Sequence, residues 1–349
     1  MTVERFAPAA LVDFAEQLFA AAGLEADKAA AVGKYLVEAD LMGHTTHGLA
    51  LAPWYLQSVA DGVKRKSGEP DIRSDRGAAI CWDGRRLPGA WLTARAVALA
   101  CERALTHGAA TVVVGNSHHI GCLAAYLPEA TARGLMISIA SSSPSGAQVA
   151  PFGGLKGVYT PNPVAHGIPT PGEPILIDIS ASITTVNMSQ RLTREGRKLD
   201  HAWLMDKQGK ASNDPAVLAD GGTLLPTGGL DHGQKGYGMA LHAEAVTQGL
   251  AGYGRADAPK GTNAAVTVQV YDPAAFGGAD AFLRQTGWLA DACRSNPPRP
   301  GVEAVRLPGH AALRRRRAAI AEGVALHAGI MDGLRAAAAS LQVAVPAPL

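Results

Sequence analysis

Apolar positions recur at helical spacing over residues 8–22 and 26–41, where Ala and Leu dominate, so the chain opens with two predicted helices. Gly43 and His44 interrupt that pattern. Thr45 and Thr46 then stand where they would cap a third helix running through Leu56. From about residue 77 the rhythm changes to short strands alternating with helices. Residues 78–82 read as a strand, 90–107 as a helix, the unbroken apolar run 111–114 as a buried strand, 122–133 as a helix and 135–139 as a further strand. Residues 175–178 and 266–270 add two strands, and 310–341 is helical. This alternation predicts an α/β fold.

Two stretches, 143–174 and 208–236, are rich in Gly, Pro, Ser and Asp, and loops that long inside a compact protein are commonly functional. No repeat or low-complexity linker divides the chain. The predicted organisation is a helical domain formed by both termini, 1–110 together with 311–349, around an α/β domain of 111–310. No GxGxxG follows any of the strands, so a standard Rossmann dinucleotide site is not supported.

Composition narrows the classes. Apolar residues at 47% against 18% charged exclude a disordered chain, and a formal charge of +2 asks for neither nucleic acid nor an anionic membrane as partner. The run Arg314-Arg315-Arg316-Arg317 reads as the solvated face of a helix. Cys81, Cys101, Cys122 and Cys293 form no CxxC pair, which argues against a zinc ribbon and fits a reducing compartment. The N-terminal residues lack a signal-peptide core and no apolar run reaches the length of a membrane span, so a cytoplasmic protein is expected.

Candidate chemistry gathers where predicted strands and helices end. His44 and His47 flank Thr45 and Thr46; imidazoles exchange protons near neutral pH, although both could simply hydrogen-bond a helix start. Asn116-Ser117-His118-His119 directly follows the apolar run 111–114, where active-site groups of open α/β sheets cluster. One of these two histidines is expected to cap the next helix. Asp178-Ile179-Ser180 ends another apolar strand, where the carboxylate would bind a ribose hydroxyl, orient a histidine, or cap a helix from Ile183. Gly228 to Gly238, with Lys235 and Gly236, leads into a helix whose start favours anions.

These segments together resemble the malate/L-lactate dehydrogenase family, which lacks the classical Rossmann fold. That family includes ureidoglycolate, sulfolactate and 2,3-diketogulonate dehydrogenases and the Δ1-piperideine-2-carboxylate reductases. The likeness runs in order through Ala39-Asp40, Gly43 to Gly48, Pro53-Trp54-Tyr55, Asn116 to His119, Val149 to Gly154, Asn162 to Ala165, Asp178 to Ser182, Asp214-Pro215, Leu225-Pro226, Lys235 to Gly238 and Arg306 to His310. It implies a non-Rossmann mixed-sheet cofactor domain, NAD or NADP as cofactor, and a homodimer with its site near the subunit interface. The family's Ser-His-Gly motif falls on Thr46-His47-Gly48, with the histidine as proton donor, and its second histidine falls on His119. Cofactor contacts fall on His44, Asp178, Ile179, Ser180, Lys235, Gly236, Pro308, Gly309 and His310.

One departure bears on substrate. An arginine usual four residues after the motif histidine is Leu51, which a helical reading puts one turn along from His47. Leucine cannot make the bidentate pair that arginine makes with a carboxylate. The function implied is hydride transfer between nicotinamide and a small 2-hydroxy or 2-oxo acid, the alternative being an NADPH-dependent reductase of cyclic or N-alkyl imino acids. Readings of another class are a metal-dependent hydrolase or lyase, which lacks HExxH or similar spacing here, and a non-catalytic scaffold. No metal ligands are assigned. Arg191, Arg194, Arg197 and Lys198 either meet a 2′-phosphate or form a solvated basic face, the second reading being preferred.

Overall fold

A computed structural model describes residues 4–349; residues 1–3 of the N-terminal segment lie outside them. The chain begins with a helical hairpin, α1 (Pro8–Ala21) and α2 (Ala26–Leu41). Pro8 opens α1, where its missing N–H costs nothing. Leu11, Phe14, Ala15, Leu18 and Phe19 form its buried stripe at helical spacing. After α3 (Ala52–Ala60) come β1 (Asp71–Asp75), β2 (Ala79–Asp83), α4 (Gly89–His107), β3 (Ala109–Ser117), α5 (Leu127–Thr131) and β4 (Met136–Ser142). The centre continues with β5 (Val164–Ile168), β6 (Ile175–Ile179), α6 (Val186–Arg194), the two-residue strands β7 (Leu204–Met205), β8 (Ala211–Ser212) and β9 (Thr223–Leu224), α7 (Gly229–His232) and α8 (Gln234–Glu244). Then follow β10 (Ala264–Tyr271), α9 (Ala279–Arg294), α10 (His310–Glu322) and α11 (Ile330–Leu341).

The main sheet has seven strands in the order β1-β2-β3-β10-β4-β5-β6. The last strand of the sequence, β10, is inserted between β3 and β4 and is antiparallel to both, whereas β2 and β3 are parallel. The sheet is therefore mixed, as the resemblance implied. At its centre one face is apolar and faces the main core: Val112, Val114, Val266, Val268 and Val270 share it and are buried, whereas Thr111, Thr267 and Gln269 stand on the other. The α1–α2 hairpin, α3 and α4 join these strands in one large core, while Tyr159, Leu192, Leu204 and Leu224 form a second core around the small sheet β8-β7-β9.

Several predicted elements move. The third helix does not start at Thr46: residues 44–48 form a turn, Leu49–Leu51 a 3-10 turn, and α3 follows. His47 thus lies outside the helix, and Leu51 is buried in the core rather than one turn along from it. The predicted helix 122–133 is a 3-10 turn, Leu123–Tyr126, running into the short α5. The terminal region divides into α10 and α11, and the long polar stretches hold β5, β8 and β9. The pairing of β2 with β3 carries the sheet across residue 110.

Candidate active site

The turn after α2 is fixed from below by Asp40. This carboxylate is buried, and its Oδ2 accepts the Leu49 N–H at 2.7 Å. Burial pushes the Asp40 carboxyl up to about 7, against the opposing pull of the Leu49 amide and of Arg191. From above, the Arg191 guanidinium of α6 donates to the Thr45 hydroxyl at 2.9 Å and to the Thr45 carbonyl at 2.8 Å. Asn187 Nδ2 donates to the Thr46 carbonyl at 3.3 Å. Neither threonine caps a helix. Thr46 Oγ1 instead lies 2.9 Å from His47 Nδ1.

His119 enters from the end of β3. Its ring faces that of His47, with centroids 6.2 Å apart and planes inclined by 22°. His119 Nδ1 lies 2.6 Å from the Tyr55 hydroxyl and accepts the Gly121 N–H at 3.3 Å. An amide can only donate, so Nδ1 is bare and the neutral ring carries its proton on Nε2. Burial, His47 and Lys64 together push the His119 imidazole down to about 3. His47 is also lowered by burial, but the Asp178 charge opposes that shift while His44 and Arg191 add to it. The two facing imidazoles thus differ: one is held neutral and the other has a carboxylate counter-charge. His118 is fully buried, with both ring nitrogens unpartnered among the described residues, and neither histidine is the N-cap of the following turn, which is Cys122.

Asp178 ends β6, and its Oδ2 accepts the Ala124 N–H at 2.9 Å and the Cys122 thiol at 3.5 Å. It does not cap α6, whose N-cap is Thr185. His44, Cys122 and Asp178 bring their ligand atoms within 4.8 Å of one another. Burial and Asp178 push the Cys122 thiol well up.

A cavity of about 600 Å³ runs past these groups. His44, Thr46, His47, His119, Asp178, Ile179 and Ser180 line it, as do Trp54, Ser141, Ser142, Ser143, Thr160 and Thr184. Lys235, Gly236, Pro308, Gly309 and His310 are not on its wall. Gly236, Pro308 and Gly309 are tied to the strand that carries Asp178 or to the residue after it. Gly236 N–H donates to the Thr227 carbonyl at 3.0 Å, and the Thr227 hydroxyl donates to the Ser180 carbonyl at 3.0 Å. Leu176 N–H donates to the Pro308 carbonyl at 3.2 Å. Gly309, at φ 86°, passes so close to Leu176 that a Cβ would fall 2.6 Å from the leucine Cβ. Lys235 is exposed.

Three supporting residues had sequence signals that composition could not interpret. Asp40 and Tyr55 stand inside the quoted motifs, but nothing in their spacing shows that one braces the His47 turn and the other holds His119. Arg191 reads as a possible phosphate ligand, whereas its guanidinium is committed to Thr45.

A model of the family described as malate/L-lactate dehydrogenase matches residues 6–335. An L-lactate dehydrogenase of Cupriavidus necator is 30% identical over 342 residues, covering 95% of this chain and 96% of that protein. A crystal structure of malate dehydrogenase from Entamoeba histolytica superposes with a TM-score of 0.93 at 21% identity, covering 99% of this chain and 100% of the other, a likeness of fold. The Δ1-piperideine-2-carboxylate reductase of Pseudomonas syringae pvar. tomato superposes with a TM-score of 0.83 at 25% identity, covering 96% of this chain and 99% of the other.

Proposed function

The chain belongs to the malate/L-lactate dehydrogenase family, and from that premise we propose that His47 is its proton-transfer residue and His119 its neutral hydrogen-bond donor. The enzyme is an NAD(P)-dependent oxidoreductase that moves a hydride between nicotinamide and a small 2-hydroxy or 2-oxo acid. The observation that carries the assignment is the facing pair at 6.2 Å, in which Tyr55 and Gly121 occupy one nitrogen of His119.

The cavity suits a nicotinamide riboside with a small acid: its volume falls within the usual range for ligand sites, and serine and threonine residues stand along one wall. When bound, the nicotinamide supplies or accepts the hydride. His47 delivers the proton to the substrate oxygen in reduction and removes it in oxidation. Asp178 stabilises the imidazolium that His47 becomes, and the Thr46 hydroxyl fixes its Nδ1. His119 donates Nε2–H to the same oxygen without itself titrating. We read Asp178, Ile179, Ser180 and His44 as cofactor contacts, with Gly236, Pro308 and Gly309 supporting that strand from behind and Lys235 and His310 proposed as outer cofactor contacts. In this reading the terminal segments, 1–110 with 311–349, bring His47, and the centre, 111–310, brings His119 and Asp178.

For substrate, no Lys or Arg lines the cavity among the described residues, and Leu51 is in the core. The groups left to meet an acid are neutral donors such as His44, Asn187 and the serines and threonines of the wall, and Trp54 offers an apolar wall. This favours a monocarboxylate over a dicarboxylate. The similarity to a structure of an imine reductase motivates the second reading, a cyclic or N-alkyl imino acid. For cofactor, a neighbouring depression of about 340 Å³ is lined by Arg191, Arg197 and Lys198 but also by Glu195 and Asp200. Arg197 pairs with Glu195 at 3.0 Å and Lys198 with Asp214 at 3.6 Å, which favours NAD over NADP. We also carry forward the homodimer and the cytoplasmic setting as proposals; among the described residues no helix is long and apolar enough to cross a membrane.

The test is turnover of a panel of 2-oxo acids with NADH and NADPH, with and without ammonia or methylamine. His47→Ala and His119→Ala are run alongside, each expected to lower turnover at least about tenfold. If neither does, the assignment fails.

A further inference from the structure

Lys64 follows α3 in a loop that folds back over the helix, its N–H donating to the Ser58 carbonyl at 2.9 Å. Its side chain points inward and is 1% exposed. Nζ has no hydrogen-bond partner among the described residues. It lies 3.8 Å from the centroid of the Tyr55 ring and 6.0 Å from that of Phe19. An unpaired ammonium taken out of water is costly, and the only compensation visible at contact distance is the negative face of an aromatic ring. That ring is the one whose hydroxyl lies 2.6 Å from His119 Nδ1. Cation, ring, hydroxyl and imidazole therefore stand in sequence, from the core to the cavity wall.

We propose that Lys64 is a positioning residue for the reaction, acting through Tyr55 on His119. Its ammonium beneath the ring strengthens the Tyr55 O–H as donor to Nδ1 and holds His119 as the neutral Nε2–H form that faces substrate. The inference rests on the role given to His119 above. The groups that face Lys64 are Tyr55 from α3, Phe19 from α1, which does not titrate, and the two imidazoles after β3. Burial lowers both His118 and His119 most, and the Lys64 charge adds to the shift of each, with Arg86 contributing further at His118 and His47 at His119. Burial pushes Lys64 down to about 7. The ammonium is therefore present on the acid side of neutrality and lost on the alkaline side, and the Tyr55–His119 bond weakens as it goes.

The test is read on the free enzyme, so it does not depend on the hydride chemistry. In protein labelled with ¹⁵N-histidine, the Nδ1 resonance of His119, identified by its loss in His119→Gln, is followed against pH. The expected result is a neutral imidazole whose Nδ1 shift nonetheless inflects near pH 7, an inflection missing in Lys64→Met and in Tyr55→Phe. A wild-type resonance with no such inflection, or one that persists in Lys64→Met, overturns the proposal. Should Lys64→Met fail to fold, Tyr55→Phe decides alone, since it leaves the lysine and cuts the link. In turnover, Lys64→Met is expected to lose about tenfold in kcat with KM little changed, and the double variant with Tyr55→Phe to lose no more than either single. A Lys64→Met enzyme with wild-type kcat also overturns it.

Discussion

Gly48 and Asp40 leave no room between them: a Cβ added to Gly48 would fall 2.4 Å from both Cγ and Oδ2 of the buried carboxylate. The same Oδ2 accepts the Leu49 amide, so the chain one residue beyond His47 is seated directly on Asp40. Gly48→Ala is expected to displace the carboxylate, release the Leu49 N–H and tilt His47 away from His119. Overpacking of this kind costs about 1–3 kcal/mol, read as a lower Tm. A misplaced proton donor should lower kcat by about tenfold or more. Wild-type kcat in a folded Gly48→Ala enzyme would show that the contact does not orient His47.

Asp40 also predicts a pH dependence of stability. Its folded pKa, about 7, lies above the ordinary carboxylate value, so between the two the folded state holds more protons than the unfolded chain. Stability must then fall as pH rises from about 4 to about 7 and level off above, by an amount on the order of a few kcal/mol. Asp40→Asn, which keeps an oxygen for the Leu49 amide, should remove this slope. Unfolding midpoints across that range check it, and an unchanged slope in Asp40→Asn assigns the effect elsewhere.

The sequence made the histidine segments legible because each interrupts a strong periodic pattern at the end of an apolar element. The mixed sheet was less so. The strand that separates β3 from β4 is β10, more than a hundred residues away, and no local signal carries that pairing. The third helix was misplaced because Thr45 and Thr46 have cap-forming side chains that tertiary partners claim: Arg191 takes Thr45 and His47 takes Thr46. Lys64 looks like an ordinary loop lysine in sequence, since its burial depends on the loop folding back onto α3.

The carboxylate opposite His47 predicts a shift in the pH–rate profile. Burial lowers His47, and Asp178 opposes that change. In the oxidation direction His47 must be unprotonated, so kcat/KM should rise with pH through a midpoint below the ordinary imidazole value, before the decline expected above about pH 7 as the Lys64 ammonium is lost. Asp178→Asn removes the opposing charge. Its midpoint should move to still lower pH, while kcat falls by about tenfold because the imidazolium formed in the reaction loses its counter-charge. A midpoint that moves upward would place the dominant effect of Asp178 on another group.

Arg191 holds the turn from the opposite side to Asp40, and it does so with two nitrogens on one residue, the Thr45 hydroxyl and carbonyl. Arg191→Lys retains the charge but has no planar fork, so it can keep one of these contacts and not both. Asp40 and the α2 backbone remain in place, which predicts a small change in Tm. The turn bearing His44, Thr46 and His47 loses its upper clamp, and a loosened donor is expected to lower kcat/KM by about tenfold. The Thr45→Val variant removes the hydroxyl contact from the other partner. If Thr45 and Arg191 act as one unit, the double variant Thr45→Val with Arg191→Lys should be no slower than Arg191→Lys alone. Losses that multiply would mean that Arg191 serves the cavity by its charge, the less favoured of its two sequence readings, rather than by bracing the turn.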